Sequence, residues 1–539
     1  MRRPTGYIVT IAVVTLLCVA ASVRPVRWDL TEDKKYTLGK PSKNLVKTLK
    51  ESHAGQVDVE ILLDGDLNSS FRRLRRATLD LTDELARTGI IRLVPPSEHS
   101  TDGLQPTVIH EREQNGKTVQ TTVYPYARLR YKSRQTVVPL LKNNRMLSGE
   151  QNLNKSIEGL EFAFAEALQS ITRDTIARIA FIEGHGEYDE ADVYDVSQQL
   201  SRYFDVDRGA IPQDWTVLQP YKVLIVASPQ QPFSEQDKYV LDQYVMHGGR
   251  VLWAIDGVRV SEEMLSESGF TPVIPLDLHL TDQLFRYGVR INPVLVQDLQ
   301  CLTIPVDVSG EAGQPQYQPL PWTYAPLLLT ANNSPVTRDV MQVSSIFAST
   351  IDTVGGGADI QKEVLLATST ASHITHAPAE VDLGNLHINP QMFSSAFLPV
   401  AIRLEGSFPS VFANRMIPEG LVEHDRLNRS LNTRQLVVAS GSVLQNNWQQ
   451  GAPLPVGYDR YTGIQFGNRD FIVNAVLDLA DDSGLIALRE KTIALRLLND
   501  KRAHDYRLLI QTISIILPLL MIALLAGAIG WGRKMTYKR

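Results

Sequence analysis

The sequence predicts an α/β protein: a doubly wound parallel-sheet domain, a smaller α/β domain ahead of it, and one membrane-spanning helix at each end. Three observations carry this. Continuous apolar runs at 176–182, 223–227 and 250–255 alternate with stretches of helical spacing, the signature of parallel strands covered by helices on both faces. A shorter strand, helix, strand pattern precedes them between Val57 and Val94. Long charge-free stretches with basic flanks close both ends of the chain.

The first such stretch runs from Pro4 to Val23, twenty residues without a charge, between Arg2 and Arg3 on one side and Arg24 and Arg27 on the other. That is just long enough to span a bilayer. It is also open to reading as a cleaved signal peptide, with Val19-Ala20-Ala21 as a small-residue cleavage site. The second stretch runs twenty-five residues from Leu508 to Gly532, followed by Arg533, Lys534, Lys538 and Arg539, with Trp531 and Tyr537 placed as interfacial anchors. By the positive-inside rule both basic tips face the cytoplasm and everything between faces out, which puts the protein in the cell inner membrane with a large periplasmic body.

The expected organisation is a cytoplasmic tip and first span at 1–27, an α/β domain at 28–174, a larger α/β domain at 175–505 with a long insertion at about 257–430, and the second span with its basic tail at 506–539. In the smaller domain, strands are expected at Val57–Leu63 and Ile90–Val94 around a helix from Ser70 to Arg87. Alternating, hairpin-like strands follow between Val119 and Leu141. Leu153, Ile157, Leu160, Phe164, Ala167, Leu168 and Ile171 then trace one amphipathic helix. In the larger domain the strand ending at Ile182 leads through Glu183-Gly184-His185-Gly186-Glu187 into a helix reaching Tyr203. A helix at Ser234–His247 separates the next two strands, and Gly248-Gly249 turns into the second of them. Pro319–Thr330, with three prolines, reads as buried loop or edge strand. The sheet resumes at Gln435–Ala439, with a last helix from Gly467 to Leu479.

Composition excludes several functions. With 59 acidic against 54 basic residues and a net charge of -5, there is no electrostatic basis for nucleic-acid binding. Cys18 and Cys301 are the only cysteines, so there is neither a disulfide framework nor a cysteine-rich metal site. No phosphate loop and no nucleophile elbow is present, and neither a cofactor nor a metal is expected. Asp64, Asp66 and Asn68 begin like a calcium loop, but Ser69 and Arg75 stand where glycine and a bidentate carboxylate are needed. His110-Glu111 lacks the second histidine of a zinc helix.

What remains is Gly184-His185-Gly186-Glu187, at the carboxyl end of a parallel strand, where open α/β sheets bind ligands. Its glycines allow a close backbone approach, and its histidine and carboxylate suit a polar ligand or a partner. A locally hydrogen-bonded turn is the alternative. In the last helix, Thr512, Ala523, Ala526, Gly527 and Gly530 fall on one face, with two small-xxx-small pairs, which suits docking to another membrane helix.

Four segments together resemble the GldG family, accessory subunits of gliding-motility ABC transporters of Bacteroidetes. They are Arg27-Trp28-Asp29-Leu30-Thr31-Glu32-Asp33-Lys34-Lys35-Tyr36-Thr37-Leu38, Gly184-His185-Gly186-Glu187, Gly248-Gly249-Arg250-Val251-Leu252-Trp253 and Gly467-Asn468-Arg469-Asp470-Phe471. Their order covers nearly the whole chain. The resemblance implies a domain similar to class I glutamine amidotransferases without their chemistry. It also implies an outer subunit working with a separate multi-spanning permease and a cytoplasmic ATPase, with an outer partner or cargo. Cys301 lacks the strand-to-helix elbow that an amidotransferase nucleophile needs. An extracytoplasmic hydrolase acting on carbohydrate or peptide through His185 and Glu187 is the alternative function.

Overall fold

A computed structural model describes residues 29, 37–52, 55–97, 100–112, 118–142, 148–173, 175–307, 316–331, 334–355, 357, 359–384, 388–421, 425–490 and 506–536. The chain divides into two units, Met1–Thr492 and Ile493–Arg539.

The first unit opens with α1 (Lys40–Glu51), whose first turn holds Pro41 and whose buried residues Ser42, Leu45, Val46 and Leu49 form one stripe. Strand β1 (Val57–Ile61) follows, then α2 (Ser69–Arg87), capped by the Asn68 side chain accepting from the Phe71 amide at 2.9 Å. Strand β2 (Ile91–Leu93) lies parallel to β1, and β3 (Tyr126–Tyr131) and β4 (Arg134–Pro139) extend the sheet antiparallel in the order β2-β1-β3-β4. A separate hairpin pairs Thr107–Arg112 with Thr118–Val123. Helix α3 (Gly149–Thr172) starts in a capping box of Ser148 and Gln151 and buries the residues that its spacing predicts. Its Glu161 carboxylate accepts from the Gly39 amide at 2.5 Å and the Ser42 hydroxyl at 2.7 Å, fixing the start of α1.

Among the described residues the larger sheet has ten strands and is mixed. Its parallel half is β5 (Arg178–Glu183), β6 (Asp205–Ala210), β7 (Tyr221–Ala227), β8 (Val251–Ala254) and a strand reached much later in the chain. Val223, Leu224, Ile225, Val226, Val251 and Trp253 are all fully buried, which is why these strands are apolar on both faces. The expected insertion at 257–430 does not leave the sheet. It supplies β9 (Cys301–Asp307), β10 (Tyr317–Thr330), β11 (Ile360–Ala367) and β12 (Pro399–Gly406), which join the same sheet antiparallel beside β13 (Thr433–Val438). The expected all-parallel sheet is thereby corrected, whereas its resumption near Gln435 holds, with β13 pairing parallel to β8. Pro319–Thr330 is likewise corrected from loop or edge to a fourteen-residue strand one place in from the edge. Its register against β9 shifts between Cys301, opposite Pro326, and Thr303, opposite Pro321.

Two buried carboxylates bind the halves together. Asp478, 1 % exposed on α6 (Asn468–Ala480), accepts from Arg403 of β12 at 2.6 Å, and its own carbonyl accepts from Arg434 of β13 at 2.7 Å. Arg403 and Arg434 share Glu405 at 2.8 and 3.3 Å. After α4 (Tyr194–Leu200) comes α5 (Glu235–Met246), whose Asp242 accepts from Tyr287 at 2.9 Å, Ser410 at 2.6 Å and the Val411 amide at 3.2 Å. Burial raises the Asp242 carboxyl above the usual carboxylate range against the pull of those donors. The segment around Phe412 covers α5, so nine consecutive residues of that helix, 238–246, are buried.

The second unit holds α7 (Arg507–Thr536), with Pro518 inside it. Among the described residues no helix is long and apolar enough to cross a membrane. The expected second span falls on α7 without support from that measure, and the first, Pro4–Val23, lies outside the described residues.

Candidate functional site

Strand β5 ends at Glu183, and Gly184 (φ +116°) and Gly186 (φ +72°) give the turn the positive φ that L side chains resist. The order β6-β5-β7-β8-β13 runs second, first, third, fourth, fifth along the chain. Connections from β5 and β7 therefore leave in opposite directions, and the crevice between their carboxyl ends is the topological switch point where doubly wound sheets hold ligands. Gly184–Glu187 sits at that point. Two bonds from the Gln230 and Gln231 amides to the His185 carbonyl, 2.7 and 2.8 Å, lace the turn to the loop after β7, and the Tyr188 amide donates to Ala227 at 2.9 Å.

The His185 ring stacks on Phe233 with centroids 3.8 Å apart and planes 9° from parallel. Its Nδ1 lies 3.1 Å from Glu187 Oε1 and its Nε2 3.3 Å from Asp237 Oδ2. Asp237 is the third residue of α5 and completes a capping box with Ser234. Each ring nitrogen faces a carboxylate, and a neutral imidazole has only one N–H to donate, so the arrangement fits imidazolium. Burial alone pulls the His185 pKa down, but the bonds to Glu187 and Asp237 outweigh it and the net shift is upward. Both ring nitrogens of this histidine are engaged by carboxylates. Its work is to clamp the switch-point turn to the start of α5.

Sequence reasoning missed the polar floor beside this turn. Ser228 (φ +53°), directly after β7, donates to Asp256 Oδ2 at 2.7 Å, and the Gly441 amide after β13 donates to Oδ1 at 2.8 Å. A Cβ on Gly441 would stand 2.3 Å from that of Ser228, so only glycine fits. Burial raises the Asp256 carboxyl above the usual range. Ser440 links to Ser345 and Ser442 at 2.9 Å each. The available signal was position: Ser228, Asp256 and Ser440 each follow the carboxyl end of a parallel strand. A cleft of 320 Å³ opens past Asp256, lined mainly by Leu276, Leu278, Leu284, Ile291 and Pro293. That is the lower end of ligand-pocket volumes.

The remaining candidates of the first unit do not converge on this site. Cys301 begins β9, and burial with Asp298 nearby pushes its thiol up to about 11, so it is not a thiolate at neutral pH. Among the described residues no group of histidine, cysteine and carboxylate side chains is placed to hold a metal. Arg75, in the place of a calcium ligand, pairs with Asp64 at 3.2 Å. Thr512, Ala523, Ala526, Gly527 and Gly530 are exposed on α7 in the second unit. Within the stretches that carry the family resemblance, Asn468 is bonded to both backbone groups of Ser344 at 2.9 and 2.8 Å, Arg469 pairs with Asp195 at 2.8 Å, and Trp253 donates to Gln435 at 3.1 Å. Asp29 accepts from Thr37 at 2.9 Å. These residues hold the fold rather than reach a substrate.

Residues 177–475 match the family described as an ABC-type uncharacterized transport system, and residues 32–130 match a domain of unknown function (DUF7088). No curated protein matches. Among solved structures the mmIFT52 N-terminal domain is similar at 13 % identity over 57 % of this chain and 98 % of that one, with a TM-score of 0.33.

Proposed function

From the premise that the chain belongs to the ABC-type uncharacterized transport system family and serves an ABC transporter as an accessory component, we propose that it is a non-catalytic outer subunit. It is held in the cell inner membrane at both ends and works with a separate permease and a cytoplasmic ATPase. The family match over residues 177–475 carries this reading. The uncharged stretch from Leu508 to Gly532 and the basic tail after it are the sequence features behind the second anchor and its cytoplasmic end. The boundaries near residues 27, 174 and 505, the amidotransferase-like ancestry and the gliding-motility role belong to the same proposal. Docking through Thr512, Ala523, Ala526, Gly527 and Gly530 is its expected mode of contact with the permease. A hydrolase acting through His185 and Glu187 is disfavoured, because both ring nitrogens already face carboxylates.

Alkaline phosphatase, active only outside the cytoplasm, tests the topology. Fused at the exposed Gly357 it is expected to be active, and fused after Arg539 it is expected to be silent. The reverse pattern would refute the placement.

A further inference from the structure

A small three-stranded sheet, Val258–Arg259, Phe270–Pro275 and Ala379–Asp382, breaks the rule that a half-exposed sheet turns its polar residues outward. Its inner face packs Val258, Val273 and Val381 against Leu265, Trp322 and Phe347. In the central strand, however, the buried inner side also takes Thr271, 0 % exposed and bonded to the Ser261 amide at 3.3 Å. The outer side takes Phe270 at 48 % and Ile274 at 43 % exposure, with Pro272 exposed between them. A one-residue slip of register would exchange these faces, so the fold actively holds an apolar row in water.

The register sets that row beside an acidic one. Asp382 stands opposite Phe270 and Glu380 opposite Pro272. Both carboxylates are exposed, and among the described residues neither has an ion-pair partner; the Asp382 carboxylate takes only the Gly384 amide, at 2.7 Å. Arg259, opposite Ile274, is engaged with the Gln230 carbonyl.

We propose that this outer face is a docking surface for a basic, apolar segment of another protein. Aliphatic side chains of that segment cover Phe270, Pro272 and Ile274, and its Lys or Arg side chains meet Glu380 and Asp382. Charge selects this occupant over the alternatives. An anionic lipid surface would be repelled by the acidic row. A second copy of the same face would set carboxylate against carboxylate, with only the engaged Arg259 to offset it. The inference concerns the surface and does not rest on the transporter reading.

The test places the photoreactive residue benzoylphenylalanine at Phe270, at Ile274 and, as a control, at Val217, which is 57 % exposed on another element. Full-length protein is irradiated in its own cells and in membranes prepared from them, and the joined peptides are sequenced. Positions 270 and 274 are expected to give an adduct with a different protein, at a segment carrying Lys or Arg beside apolar residues. Glu380→Lys with Asp382→Lys should cut the yield at least about tenfold, as should raising NaCl from about 0.05 to about 0.5 M with the unaltered carboxylates in membranes. The salt arm keeps the answer independent of any folding defect in the double variant. Adducts with lipid, with a second copy or with an acidic segment, a yield no greater than at Val217, or a yield indifferent to salt would each overturn the proposal.

Discussion

Asp478→Ala is expected to cost about 3–5 kcal/mol of stability, the usual consequence of removing one partner from a buried ion pair. Its carboxylate is 1 % exposed and bonds Arg403, whose side chain is 13 % exposed and also reaches Glu405. Truncation would leave the Arg403 guanidinium facing a cavity with its charge partly uncompensated. The site joins α6 to the boundary between the parallel and antiparallel halves of the sheet, so the loss should unfold both halves together. Thermal unfolding of the full chain measures it. Arg92→Ala, breaking the exposed 2.7 Å pair with Asp58, supplies the contrast and should cost far less. Asp478→Leu combined with Arg403→Met should recover much of the loss, because it removes both charges instead of stranding one.

His185→Ala is expected to cost about 2–4 kcal/mol, through the lost stack on Phe233 and two lost charge-assisted bonds. The cost should depend on pH. With the folded pKa raised above its ordinary value of 6.5, the imidazolium contribution is fully present below about pH 6.5 and is lost as pH rises through the folded pKa. The gap between the two proteins should therefore be wider at about pH 6 than at an alkaline pH above the raised folded pKa. Urea unfolding at both pH values reads this directly. An identical gap at both would mean that the ring serves by packing alone.

The parallel half of the sheet was legible because β5, β7, β8 and β13 are buried on both faces and leave continuous apolar runs. The return of the chain near Gln435 was legible for the same reason. Strand β6, Asp-Val-Asp-Arg-Gly-Ala, was not: it lies at the edge, where charge is tolerated and apolar periodicity vanishes. The antiparallel pairing of β9 to β12 escaped because its stabilising partners are remote. Arg403 is held by Asp478, 75 residues away, as well as by Glu405 nearby, and no local pattern announces the first. The prolines of β10 pointed to a loop or an edge strand on local grounds, and pairing on both sides sets it one place in from the edge. At the site, the position of Gly184–Glu187 at a strand end was readable, and so was the alternative of a locally bonded turn. The second carboxylate on His185 was not, since Asp237 lies 52 residues on. Ser228, Asp256 and Gly441 converge only once the strand order is known.

Purification of the full chain from its native membranes in mild detergent, with identification of every chain that accompanies it, tests the central claim most directly. A multi-spanning permease and its ATPase are expected to co-purify in fixed proportion to the chain. They should be lost from a Gly527→Leu, Gly530→Leu variant that still inserts and folds, and retained when Leu replaces Ile522 and Ile529 on other faces of α7. Recovery of the chain alone, or with partners unrelated to ATP-driven transport, would contradict the account.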